Sequence, residues 1–340
     1  MPDRYHRQTI LPEVGAAGQA RLGAARVVIV GCGGLGGPVA AYLAGAGVGG
    51  LDLVDGDRVA LSNLHRQVFF TESALGQPKA DTLAAHCRRL NPGTRVRALN
   101  VYAEPRNLRQ LISGATLVVD ATDDAPLKHH LSDACHLLGV PLVYAAVHKY
   151  EGYVAVFPNA AADDVHLRDL FPAPDPDLPD CATVGVLPTA VGAVALLQAN
   201  AALCYLLGIG APPLRQLLTV NLLDNRQHRL TLRKTYHGAV VAPWATARPA
   251  RAGLETDATP ADFGDYDLVF TMLDAAKDPT PAPGVVRLTK RDPFGQCTAR
   301  MTPAGRYLLY CNSGKLSLML AAQLQKAGYR ALSLRGGKTW

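Results

Sequence analysis

The residue types best suited to chemistry in this 340-residue sequence gather in a few short stretches. Residues 55–67, DGDRVALSNLHRQ, put the carboxylates of Asp55 and Asp57, the hydroxyl of Ser62, the amide of Asn63 and the guanidinium of Arg66 into one segment, and Lys79 follows in GQPK. Residues 120–124, DATDD, add Asp120, Asp123 and Asp124. Fixed cations beside such a loop suit attack on the α-phosphate of a nucleoside triphosphate. Charge builds on the bridging oxygens in the transition state, where Arg66 and Lys79 can meet it, while the carboxylate that ends the strand Leu117–Asp120 can hold magnesium. Two cysteines stand before helix starts, Cys181 after the acidic run FPAPDPDLPD and Cys311 in YCNSGKLS. A thiol at a helix N-terminus is favoured as thiolate, although Asp180 opposes this at Cys181.

The surrounding sequence supplies elements to position these groups. Arg26–Val30 is a β-branched run that reads as a buried parallel strand, and it feeds the turn GCGGLG. Gly31 allows the tight turn, Gly33 lets a phosphate approach the backbone, and Gly36 lets the helix over 38–46 pack on its strand. A second strand, 51–54, ends at Asp55, whose carboxylate suits ribose hydroxyls. Taken alone, this fingerprint favours an NAD-dependent dehydrogenase. Such an enzyme needs no cation in the loop after its second strand, and Arg66 and Lys79 weigh against it. A helix over 81–91 with Leu83, Cys87 and Leu90 inward, a strand at 95–100 and the strand Leu117–Asp120 extend a doubly wound parallel sheet, whose ligands bind beyond the carboxyl ends of its strands. The glycine turn, Asp55 and Asp120–Asp123 are thereby expected in one crevice.

Further on, 141–146 reads as a strand and Glu151–Phe157 as a half-exposed antiparallel one, with an antiparallel hairpin strand over 220–232 closing the unit. Residues 4–8 read as a loop, 16–22 as a short helix, and the apolar tract 186–209, broken by Pro188, Gln198 and Asn200, as a buried or subunit-interface helix and not a membrane span. The domains expected are 1–236, a linker over 237–262 rich in Ala, Pro, Thr and Arg, and 263–340, which carries strands at 307–310 and 328–334 around a helix at 318–326. A chain 49% hydrophobic and 18% charged, with net charge +6 and no Lys/Arg block, implies neither nucleic acid nor membrane. The polar start MPDRYHRQ and seven dispersed cysteines without a C-x-x-C fit a cytoplasmic location.

The motifs in residues 4–234 resemble the ThiF/MoeB/HesA family, bacterial relatives of the ubiquitin-activating enzymes, through D-x-D-x-V-x-x-S-N-L-x-R-Q, G-x-x-K and D-x-T-D in order. The resemblance implies a Rossmann-like α/β fold and an ATP- and Mg2+-dependent adenylyltransferase acting on the C-terminal carboxylate of a small ubiquitin-like sulfur-carrier protein ending in Gly-Gly. It assigns Asp55 to ribose, and Gly34, Ser62, Asn63, Arg66 and Lys79 to nucleotide contact. It assigns Asp123 to magnesium, and Arg7, in the start R-Y-x-R-Q, to the triphosphate of a neighbouring subunit in a homodimer. Asp57 belongs with the nucleotide loop. Asp124, where the family has Asn, is expected to alter metal or nucleotide handling. The family's zinc-binding C-x-x-C pairs fall at 166–169 (His166, Asp169) and after Lys234, where no cysteine stands, so no structural zinc is expected. Cys181 matches a family cysteine opposite the nucleotide; its thioester with the carrier, passed to a target amine, would make the protein a conjugating enzyme instead. A scaffold without turnover is a further alternative.

The C-terminal stretch C-x-x-G-x-x-S from Cys311 resembles a rhodanese loop, with Leu316 where an arginine is customary. That resemblance implies a persulfide on Cys311, charged by a cysteine desulfurase or another sulfur donor, which converts the activated carrier to a thiocarboxylate.

Overall fold

The computed structural model describes residues 4–161, 163–173, 185–246, 254–256, 258, 260–273, 284–289, 291–311 and 315–334. The chain divides into two compact units, Met1–Ala247 and Arg248–Trp340.

The first unit opens with α1 (His6–Thr9), where a loop was expected, and α2 (Gly15–Ala24). The strand β1 (Arg26–Val30), helix α3 (Gly36–Gly45), strand β2 (Gly50–Val54), helix α4 (Lys79–Leu90) and strand β3 (Arg95–Leu99) follow in alternation. Then come α5 (Leu108–Ile112), β4 (Leu117–Asp120), α6 (Ala125–Leu138), β5 (Leu142–His148) and β6 (Glu151–Phe157). The unit ends in α7 (Leu167–Leu170), α8 (Pro188–Leu207), β7 (Gln216–Asn221), β8 (Arg226–Thr231) and α9 (Pro243–Thr246).

Its eight strands lie in the order β3-β2-β1-β4-β5-β6-β7-β8, parallel from β3 to β5 and antiparallel beyond. The β-branched runs of β1 and β4 are buried on both faces, as a sheet covered by helices requires. The strand expected over 220–232 is instead a hairpin, β7 turning at 222–225 into β8. β6 is more buried than half-exposed, because Val154 and Val156 pack into the core beneath α8 and Ala155 and Phe157 into the core on the other face. Helix α4 begins at Lys79 and buries Leu83 and Cys87, but Leu90 at its last turn is 41% exposed. Helix α8 is long and apolar enough to cross a membrane by composition, yet it packs on β5, β6 and α3 and buries Val194, Ala195, Gln198, Ala199 and Ala202.

The second unit is a five-stranded parallel sheet ordered β11-β10-β12-β13-β9. Its strands are β9 (Glu255–Thr256), β10 (Leu268–Thr271), β11 (Val285–Arg287), β12 (Arg306–Tyr310) and β13 (Arg330–Leu334), with helices α10 (Pro293–Thr298) and α11 (Lys315–Lys326). Both ends of the expected linker carry structure. α9 packs on α5 and α6 in the first unit, and Glu255–Thr256 pairs with β13 in the second.

Candidate active site

The crevice forms at the carboxyl ends of β1, β2 and β4. Gly31 has φ +95°, a conformation L side chains rarely adopt, and its N–H donates to the Val54 carbonyl at 2.9 Å. A methyl group at Gly36 would overlap the Gly31 carbonyl, so turn and helix approach as closely as the fingerprint requires. At Gly34 a Cβ would stand 2.6 Å from Val191 of α8 and 3.2 Å from the Arg66 carbonyl; at Gly33 it would meet the Gln67 amide at 3.1 Å. The turn is thus lined by the backbone of the Arg66 segment, as the sequence grouping implies.

Asp55 bridges the two loops. One carboxylate oxygen accepts the Cys32 N–H at 2.7 Å, and the other accepts the Asp57 N–H at 2.8 Å. Burial pushes its carboxyl up, against the pull of the Lys79 ammonium and these N–H donors. Lys79 is only 5% exposed, and its Nζ donates to Asp57 Oδ2 at 2.8 Å. Lys79 comes near Asp55 because residues 57–59 pair with 76–79. The Val59 N–H donates to the Gln77 carbonyl, and the Lys79 N–H to the Asp57 carbonyl, both at 2.9 Å. Asp57 is held below the ordinary carboxylate range: burial raises it, but Lys79 and the Tyr102 hydroxyl lower it more.

Ser62 and Asn63 sit in a 3-10 turn, Leu61–Asn63, and the Arg66 guanidinium reaches back to the Ser62 carbonyl at 3.4 Å and the His65 ring at 2.7 Å. After β4, Asp120 is fully buried; its Oδ1 accepts the Thr122 N–H and hydroxyl and the Lys128 ammonium at 3.1, 2.8 and 3.1 Å. The Gln198 amide donates to the Asp120 carbonyl at 2.7 Å. Asp123 emerges exposed from this braced turn, the carboxylate free to meet a hard cation. Asp124 is the N-cap of α6, its Oδ1 accepting the Leu127 N–H at 2.7 Å. The extra acid in DATDD therefore serves a helix end.

Arg7, expected to serve the triphosphate of a neighbouring subunit, does not reach the crevice of its own chain. Arg7 is exposed on α1, whose neighbour Gln8 donates to the Ala46 carbonyl at the C-terminal end of α3. The glycine turn lies at the other end of that helix, about 15 Å away at 1.5 Å per residue. Cys181 lies outside the described residues.

At the positions of the family's zinc thiols the chain has a hydrogen-bonded node. Asp169, whose side chain is 0% exposed, accepts the His166 N–H and ring nitrogen at 2.9 and 2.8 Å and the Thr235 and Tyr236 N–H groups at 2.7 Å each. Lys234 stands 3.7 Å from it. Burial would raise the Asp169 carboxyl, but these donors hold it at about 2. Among the described residues no group of three or more His, Cys, Asp or Glu is arranged to hold a metal ion.

In the second unit Cys311 directly follows β12, the middle strand, and is buried. Its Sγ accepts the Ser317 N–H at 3.5 Å and faces the Ser317 hydroxyl at 3.4 Å, and Ser333 donates to that hydroxyl at 2.9 Å. The loop at 312–314, including Gly314, lies outside the described residues.

A family model described as "ThiF family" matches residues 5–241. The chain belongs to the ThiF family. The ThiF-family chain is 44% identical over 237 residues to a "Sulfur carrier protein adenylyltransferase" of Thermus thermophilus, covering 68% of this chain and 88% of that one. It is 33% identical over 358 residues to a "Probable adenylyltransferase/sulfurtransferase MoeZ" of Mycobacterium tuberculosis, covering 98% of this chain and 91% of the relative. That second alignment extends through the second unit. Among solved structures, E. coli MccB with ATP superposes at a TM-score of 0.60 with 21% identity, over 70% of this chain and 74% of that one, a likeness of fold.

Proposed function

We propose that the protein uses ATP to adenylylate the C-terminal carboxylate of a small ubiquitin-like sulfur-carrier protein, and that its second unit delivers the sulfur that turns the activated carrier into a thiocarboxylate. One observation carries the reading: the glycine turn, Asp55 and the Lys79–Asp57 pair meet at one end of the parallel sheet. Relatives named for both reactions support it.

A carboxylate is a poor electrophile. When one of its oxygens attacks the α-phosphorus, a C–O–P anhydride forms, the bond to the β-phosphate oxygen breaks and pyrophosphate leaves. The N–H groups of the glycine turn beyond Cys32 and those of the α3 N-terminus take the phosphates, Asp55 takes the ribose hydroxyls, and Arg66 and Lys79 stabilise the charge on the leaving oxygens. Asp123, an exposed hard-oxygen donor at the crevice, fits magnesium, which would neutralise polyphosphate charge when bound with the nucleotide. Arg7 stands by the end of α3 away from the glycine turn, which supports a homodimer in which it serves the second copy. Cys311, charged with a persulfide by a cysteine desulfurase or another donor, attacks the acyl carbon and releases AMP. A further thiol then attacks the Cys311 sulfur of that S–S bond, forming a disulfide with Cys311 and freeing the thiocarboxylate.

The test is ATP–pyrophosphate exchange with a purified carrier ending in Gly-Gly. Exchange that needs the carrier, and vanishes when its two terminal glycines are removed, supports the reading. Carrier-independent exchange, or none, rejects it.

A further inference from the structure

Tyr102 belongs to no motif of the nucleotide loop, and it lies after β3, in a segment the sequence leaves unassigned. Its hydroxyl donates to Asp57 Oδ1 at 2.8 Å, while Asp57 Oδ2 accepts the Lys79 ammonium at 2.8 Å. The ring lies on Gly56, where any Cβ would collide with it, so the middle residue of Asp55-Gly56-Asp57 is a glycine that makes room for this tyrosine. The segment holding Tyr102 is itself fixed, because Asn107 donates its amide to the Tyr102 carbonyl at 2.8 Å and accepts the Glu104 N–H at 2.8 Å.

We propose that Tyr102 is a positioning residue for nucleotide activation: by holding one oxygen of Asp57 it fixes the other against Lys79, and so fixes the cation that faces the phosphates. The inference rests on the function proposed above.

The chemistry follows from the two oxygens. A carboxylate with one oxygen free swivels, and the lysine paired to the other swivels with it. With Oδ1 anchored on a rigid phenol, Lys79 is held in one place and its remaining N–H donors are left for phosphate. The charged and titratable groups acting on Asp57 are Lys79 on α4, Tyr102 after β3 and Asp55 on its own loop. Burial and the neighbouring Asp57 charge push the Tyr102 phenol up, so it stays a donor throughout the working range. Loss of the phenol removes one of the donors that hold Asp57 down.

Tyr102→Phe keeps the ring on Gly56 and removes only the hydroxyl. Three readouts apply to the full chain. Carrier-dependent exchange by Tyr102→Phe is expected to lose about fivefold to tenfold in kcat, with KM for ATP changed less than about twofold, the scale of one charged hydrogen bond attenuated by partial exposure. The acid limb of its pH profile moves to higher pH, and so does the Asp57 midpoint read by carbon-13 NMR of labelled aspartate. On an Asp57→Ala background, which removes the acceptor, the same substitution has no further effect, since Tyr102 acts only through that carboxylate. Unchanged kcat, an unmoved Asp57 midpoint, or effects that simply add would each overturn the inference. If the wild type shows no exchange, the proposed function fails, while the NMR midpoint still decides the Tyr102–Asp57 coupling.

Discussion

The node around Asp169 makes a quantitative prediction. Its carboxylate joins residues 166–169 to 234–236 through His166, Thr235, Tyr236 and Lys234. With a folded value of about 2 against an ordinary 3.8, and one unit equal to about 1.36 kcal/mol, ionised Asp169 contributes about 2 kcal/mol of stability at neutral pH. Because the folded value is depressed, that contribution is complete above 3.8 and is lost as pH falls through 3.8 towards 2. At pH 3 about half of it remains. Asp169→Asn should therefore lower the stability of the first unit by about 2 kcal/mol at pH 7, measured by urea unfolding of the full chain, and by distinctly less at pH 3. A gap of the same size at both pH values would refute the reasoning, since it would show that the carboxylate's charge contributes nothing.

Lys79→Met should cut carrier-dependent exchange by about 10²–10³-fold, the usual loss on removing one electrostatic stabiliser, with the melting temperature as the check that the fold survives. Asp123→Ala should abolish exchange while circular dichroism stays unchanged, because its exposed carboxylate supports no packing. ATP affinity followed by calorimetry should fall on acidification sooner than for an ordinary carboxylate, since burial raises the Asp55 carboxyl and its protonated form accepts fewer ribose hydroxyls. After incubation with a cysteine desulfurase and cysteine, a reducible gain of one sulfur atom should map to the Cys311 peptide and vanish in Cys311→Ala. A label on Cys181 instead would send sulfur by another route.

Much of the first unit is legible because its strongest signals are local. The five residues of β1, the glycine turn and β4 follow from β-branched runs and from a turn that only glycine can make. The groups that complete the site are not local. Tyr102 and Gln198 are distant in sequence from the Asp57 carboxylate and the Asp120 carbonyl they hold, Lys128 reaches Asp120 from the next helix, and a lone Tyr, Lys or Gln carries no period or motif. A short acid before Ala125-Pro126 also reads as an N-cap, and the backbone of α6 uses Asp124 so. Leu90 matched the inward period of α4 but falls in its last turn, where the core no longer covers it. At 220–232, alternation alone did not show that Asn225, with φ +58°, folds the stretch back on itself.

The central claim is that the carrier's own carboxylate receives AMP in the crevice of the first unit. Intact mass spectrometry of the carrier after incubation with enzyme and ATP tests it directly. The carrier should gain one adenylyl group at its C-terminus, and should lose it with the oxygen that bears it, in exchange for one sulfur atom, when a desulfurase, cysteine and a reducing thiol are added. A carrier of unchanged mass beside an adenylylated enzyme, or AMP on a carrier side chain, would contradict the account.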